Sequence, residues 1–230
     1  MHYLNRFNLV FAILIISTAT LASNEQVFEQ SNSGVVLIVG EEGFGSGALI
    51  SSQGHILTNY HVIADSKESE VALYGSYDLG DDIDNYFFKA LLIKTDAKKD
   101  LALLKLINPP ANLNVLRISK VIPPIGSQVH AIGHPNTEFW SYTTGYISQM
   151  KHDYEWQYEE GGMQHVATVY LTQTPIDEGN SGGPLLNSHG NIVGVNTFGS
   201  SSASFQNYSV SAEEVVKFLA SRWLPTRSYG

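Results

Sequence analysis

The chain contains no cysteine. Disulfides, thiolate metal sites, cysteine nucleophiles and lipidation at an amino-terminal cysteine are excluded together by that absence. Basic side chains are scarce too: 13 Lys and Arg stand against 22 Asp and Glu, a formal net charge of −9. A globally basic surface that binds by neutralising phosphates is ruled out, so nucleic acid is not an expected partner. Only 15 % of the residues are charged, while 43 % are hydrophobic and 11 % aromatic, which excludes wholesale disorder. The 230 residues are enough to bury roughly 70 % of the surface that the unfolded chain exposes.

A second long apolar run is also missing. The one present, Leu9 to Ile16 (LVFAILII), follows Arg6 and precedes small residues around Ala22 and Ser23. A basic start, a short apolar stretch and small residues are the layout of a secretory signal peptide, too short for a comfortable membrane span. Residues 1–22 are therefore expected to be a signal peptide, cleaved after Ala22 or Ser23, with an uncleaved membrane anchor as the alternative. Cleavage removes Arg6 and no acid, leaving the mature chain more acidic still. The expected location is periplasmic or secreted, without stable membrane insertion after cleavage, and the fold must hold there without disulfides.

What the rest contains is strands. Residues 35–39, 46–50, 55–59, 70–73, 87–93 and 101–107 are short, rich in β-branched or apolar side chains, and punctuated by glycine. Residues 128–132, 140–147, 166–172, 184–186, 192–197 and 205–210 continue the pattern. Such spacing, with no helical periodicity between, predicts an all-β sandwich or barrel. Pro123-Pro124 marks a joint between halves 23–122 and 123–210. One helix is predicted, over 211–224: Ser211 and Glu214 have capping-box spacing, apolar residues follow, and Pro225 ends it. Residues 76–85, 151–164 and 200–204 read as loops.

Chemistry concentrates in Gly179-Asn180-Ser181-Gly182-Gly183-Pro184. A serine hydroxyl is a poor nucleophile unless a base takes its proton and the oxyanion is stabilised. Glycines around it let backbone N–H groups turn inward to form an anion-binding concavity. The bland alternative is a glycine-rich hairpin turn. For the base, His61 stands out among eight histidines, at a strand end behind Gly45-Ser46-Gly47. Alone it would more often be a satisfied, half-buried histidine than a catalyst. Asp100, directly before the apolar strand Leu101 to Leu106, is the carboxylate able to hold the imidazole, or else an ordinary turn acid beside Lys98 and Lys99. The order His, Asp, Ser is one of the known orders of a hydrolytic triad. His130 and His134 are four apart, but Gly133 and Pro135 oppose a shared helix face, so no metal is expected.

These residues together resemble the protease domain of the HtrA/Deg group of trypsin-like serine endopeptidases. The resemblance rests on Gly45-Ser46-Gly47, on 56–62 (ILTNYHV), on 100–105 (DLALLK) and on 131–135 (AIGHP). It continues through Thr172-Gln173-Thr174, 179–185 (GNSGGPL) and 192–197 (IVGVNT). It implies two six-stranded antiparallel β-barrels with a carboxy-terminal α-helix and the active site between the barrels. The implied triad is His61, Asp100 and Ser181. The oxyanion hole falls on the Gly179-Asn180-Ser181 backbone, through the Gly179 and Ser181 N–H groups. Pro175 forms the floor of the specificity pocket and Asn196, Thr197 and Phe198 its wall. No cofactor is implied; the partners are polypeptide substrates, and relatives are often trimers.

Departures from the family pattern are informative. Asp177-Glu178 stand where Asn-Pro is usual, and His134 where Asn is usual. No PDZ domain, the family's common appendage, follows Leu219 in this sequence. Asn180 precedes the serine where trypsins carry the aspartate of their zymogen switch, so no such switch is expected. An uncharged pocket floor predicts cleavage after small or medium aliphatic residues. Two alternatives share the fold: a secreted glutamyl endopeptidase, which would place histidine at Asn196, and a chaperone or binding module on a protease scaffold.

Overall fold

A computed structural model of the chain describes residues 23–40, 43–64, 66, 68–74, 87–199 and 206–221. The expected signal peptide, the predicted loops 76–85 and 200–204, and the chain from 222 onward lie outside the described residues. Twelve strands form two barrels. The first contains β1 (Val35–Val39), β2 (Phe44–Leu49), β3 (His55–Thr58), β4 (Glu68–Leu73), β5 (Phe87–Asp96) and β6 (Leu101–Leu106), closing in the order β1-β2-β3-β6-β5-β4. The second contains β7 (Gln128–Gly133), β8 (Ser141–Trp156), β9 (His165–Thr172), β10 (Pro184–Asn187), β11 (Ile192–Gly199) and β12 (Asn207–Ser211), closing in the order β10-β11-β12-β9-β8-β7. Every strand pair is antiparallel.

Barrel closure follows from the sequence pattern. Inward positions carry mostly branched aliphatics: Val36, Ile38, Leu49, Ile56 and Leu104 fill the first barrel, and Val129, Ile147, Leu185 and Val193, with the Tyr170 ring, the second. Two further clusters join the barrels. Leu57 and Leu101 pack with Val195, Val210 and Phe218, while Val35 and Ala48 pack with Ile132, Leu186 and Ile192. Truncating any such leucine to alanine costs about 2–5 kcal/mol. The apolar seam thus fixes the facing turns of both barrels relative to one another.

Three elements differ from expectation. Residues 151–156, read as loop, extend β8 to sixteen residues, Ser141–Trp156. Polar Lys151, His152 and Asp153 hide the alternation because the strand bulges between Lys151 and Tyr154, with Asp153 at φ 47°. The carboxy-terminal helix, α2 (Ala212–Ala220), stops before 224: Ser221 is already extended. Lys94 Nζ donates to the carbonyls of Phe218 and Ser221, satisfying the helix end. An amino-terminal helix, α1 (Asn24–Ser31), had not been expected. Ser23 and Gln26 form its reciprocal capping box, and Val27 is its buried anchor. In the sequence the same Ser23 also fits the small-residue pattern of a cleavage site.

Candidate active site

His61 lies in the turn that follows β3, and Asp100 at the start of β6, the strand paired with β3. Asp100 follows a 3₁₀ turn (Ala97–Lys99) and adopts φ 55°, ψ 45°. Aspartate tolerates that left-handed conformation better than most residues because its short side chain bonds locally. The turn aims the fully buried carboxylate back at His61. Asp100 Oδ1 accepts from the His61 backbone N–H at 2.9 Å, and Oδ2 lies 2.8 Å from His61 Nδ1. A carboxylate opposite Nδ1 fixes that nitrogen as the N–H and leaves Nε2 as the acceptor. Asn59 Nδ2 holds the Asp100 backbone carbonyl at 2.7 Å.

Ser181 comes from the other barrel, in the loop before β10. Its backbone carbonyl accepts from Ser46 N in β2 at 2.8 Å, and Gly182 N donates to Asn196 O in β11 at 2.8 Å. The loop is therefore pinned to both barrels. Gly182 has φ 84°, and a Cβ there would collide with Thr58 Oγ1 and the Ser46 carbonyl, so glycine is required. The Ser181 hydroxyl donates to the Thr197 carbonyl at 3.0 Å and makes no hydrogen bond to His61. Unliganded sites often show such loose geometry.

The loop also presents two donors. Glu178 O accepts from Asn136 N at 3.0 Å, and a trans peptide then directs the Gly179 N–H the opposite way. Ser46 Oγ donates to Gly179 O at 2.7 Å. The Gly179 and Ser181 N–H groups have no intramolecular acceptor among the described residues and border the cleft. Asn180 N–H is not part of this pair, since it donates to Asp177 O.

The cleft has two lobes that meet at His61 and Ser181. One, of about 730 Å³, is walled by Phe44, Val62, Glu178 and Gly179. The other, of about 820 Å³, is walled by Tyr158, Pro175, Thr197 and Phe198. Asn196 is placed elsewhere: it is fully buried behind the wall, donating to Pro184 O and accepting from Ser209 Oγ. Asp177 and Glu178 both face solvent, with Asp177 Oδ2 held by Asn136 Nδ2 at 3.1 Å. Both residues also line the lobe that contains Pro175.

His130 and His134 serve the scaffold. His130 Nδ1 lies 2.6 Å from the Tyr142 hydroxyl. His134 Nδ1 lies 2.8 Å from Ser46 Oγ, whose single proton goes to Gly179 O, so the imidazole is the donor. Burial pushes the His134 pKa down to about 3. The chain His134–Ser46–Gly179 thus ties the loop before β10 to β2 with a neutral ring. Sequence reasoning missed this role of Ser46 and missed Tyr158, whose hydroxyl donates to Asp100 Oδ2 at 2.6 Å. No motif marks Tyr158; the one clue is an aromatic in an otherwise polar turn.

A family model described as a trypsin-like peptidase domain matches residues 45–195, a span containing His61, Asp100 and Ser181. Protease Do-like 1, chloroplastic, of Arabidopsis thaliana is 34 % identical over 157 residues, 68 % of this chain and 33 % of that protein. The probable periplasmic serine endoprotease DegP-like of Pseudomonas fluorescens is 37 % identical over 157 residues, covering 68 % of this chain and 29 % of its own. The crystal structure of the serine endoprotease from Yersinia pestis aligns with a TM-score of 0.69 at 29 % identity, covering 86 % of this chain and 65 % of that one. The chain spans about a third of the length of the curated relatives it matches.

Proposed function

Because this chain belongs to the trypsin-like peptidase family, we propose that it is an HtrA-like serine endopeptidase acting through His61, Asp100 and Ser181. One observation carries the reading: the Nδ1-anchored His61, 2.8 Å from a buried carboxylate, shares a cleft with Ser181 beside two unpaired N–H groups. In the proposed reaction the Ser181 hydroxyl turns from Thr197 O to His61 Nε2. Oγ attacks the peptide carbonyl carbon while its proton passes to Nε2, and Asp100 stabilises the imidazolium. The Gly179 and Ser181 N–H groups receive the oxyanion; one such donor is worth on the order of 10²–10³ in rate. The C–N bond breaks as Nε2 returns the proton to the leaving amine. Water then attacks the acyl-enzyme, giving a proton to Nε2 that finally restores the serine hydroxyl.

The uncharged floor at Pro175, narrowed by Phe198, supports a preference for small or medium aliphatic residues on the acyl side of the cut. Such a pocket discriminates by only about 1–3 kcal/mol per methylene, so the preference is graded. The layout of residues 1–22 and the DegP-like relative, described as periplasmic, support extracytoplasmic unfolded or damaged proteins as substrates. Among the described residues no helix is long and apolar enough to cross a membrane. Cleavage-site mapping on a denatured polypeptide, with Ser181→Ala as control, tests the reading. Aliphatic sites lost in the variant support it, and sites confined to Lys and Arg would reverse the pocket assignment.

A further inference from the structure

We infer that Tyr158 is a positioning residue for the His61–Asp100 pair, holding the Asp100 carboxylate from the second barrel. The inference rests on the serine peptidase reading. Tyr158 lies two residues beyond the end of β8, in the connection to β9. Its side chain is 44 % exposed, yet its hydroxyl reaches a carboxylate with no exposed surface and donates to Oδ2 at 2.6 Å. That oxygen is the one that accepts from His61 Nδ1. The ring lies tilted against the imidazole, with centroids 4.5 Å apart.

A second contact clamps the same two parts of the molecule. His165, the first residue of β9, places Nδ1 2.8 Å from Ala97 O, in the turn that leads into Asp100. Its ring packs edge-on against Tyr158 at 5.3 Å and stacks on Trp156 at 5.3 Å. The turn end of the β8–β9 hairpin is thus fastened to the Asp100 turn of the first barrel by two side chains, one on the backbone and one on the carboxylate. The enclosure of its hydroxyl and the Asp100 charge both push the Tyr158 phenol well above its ordinary pKa, so it remains a donor at every working pH.

Sharing Oδ2 has a chemical consequence. A second donor spreads the carboxylate charge and weakens its hold on the imidazolium, while restricting Asp100 to one rotamer. Among the described residues the other ionisable groups near His61 are Glu138, Asp177 and Glu178 on the cleft walls and His165 behind Tyr158. None of them bonds to the imidazole, and Tyr158→Phe leaves all of them in place.

The test is Tyr158→Phe, which keeps the ring and deletes the donor. The His61 imidazole is titrated by NMR in both proteins, alongside steady-state hydrolysis. The expected result is an upward shift of the His61 pKa by about half a unit or more, a matching shift of the acid limb of kcat/KM, and a several-fold lower kcat at unchanged KM. An unmoved titration in a folded variant would overturn the inference, as would a change confined to KM, which a purely substrate-contacting side chain gives. Since the NMR titration needs no turnover, an inactive wild-type protein would sink the peptidase reading while leaving the Tyr158 coupling separately measurable.

Discussion

Ser181 and His61 act as a unit in this account, so either alanine substitution should remove nearly all hydrolysis, and the double variant should be little worse. Asp100→Asn should cost on the order of 10⁴ in rate, because an amide opposite Nδ1 favours the wrong tautomer. Circular dichroism should show all of these variants folded. Gly179 makes a sharper demand. Its φ is 94°, and a Cβ there would run into the His134 carbonyl and the Phe44 ring. Gly179→Ala should displace the donor loop and lower kcat about 10²–10³-fold; unchanged kinetics would mean that this N–H takes no part. His134 gives a pH prediction. Its pKa falls from 6.5 unfolded to about 3 folded, so the unfolded chain binds the extra proton between those values. Stability from this group is full above about pH 6.5 and declines as pH falls, by up to about 1.4 kcal/mol per unit. His134→Asn should flatten that slope by one proton in denaturation curves, and an unchanged slope would contradict the buried neutral ring.

At the scale of elements, α2 is tied to the first barrel through Glu214. Burial raises its carboxyl pKa, but hydrogen bonds from Lys99 and Lys217 lower it further, leaving it below the usual 4.5. A depressed carboxylate contributes stability above the unfolded pKa and loses it as pH falls through the folded one. Glu214→Gln should therefore cost about 1–3 kcal/mol near neutrality and progressively less as pH falls through the depressed carboxyl pKa; a cost that does not fall with pH would refute the ion-pair account. The strands were legible as short runs rich in β-branched and apolar residues punctuated by glycine, and all twelve occur near their expected positions. β8 was legible only to Ile147, since its outer half pairs with β9 alone and its bulge breaks the period. α1 was obscured by a competing use of the same small residues, although Ser23 and Gln26 carry its cap. Ser23→Ala should lower stability by about 1 kcal/mol in urea denaturation. The Gly-Asn-Ser-Gly-Gly run could be read because close packing at Gly179, Gly182 and Gly183 leaves no room for a Cβ. Tyr158 could not, because its role depends on where a hairpin end lands, not on its neighbours in sequence.

For the whole molecule, the two barrels supply different halves of one site. His61 and Asp100 come from the first, Ser181 and its donor loop from the second, and the shared apolar seam holds them in register. The charged residues on the cleft walls, Glu138, Asp177 and Glu178, are all acidic. A negative chain with a negative cleft should disfavour acidic residues near the cut, most strongly at low ionic strength where screening is weak. Peptide series differing only in flanking charge would show it, and Glu178→Gln should narrow the difference. The central claim, an activated serine at position 181, is tested most directly by fluorophosphonate labelling followed by peptide mass spectrometry. The account predicts one adduct per chain, on Ser181, absent from His61→Ala and from the denatured protein. No adduct on the folded wild-type chain, or an adduct that persists without His61, would contradict it.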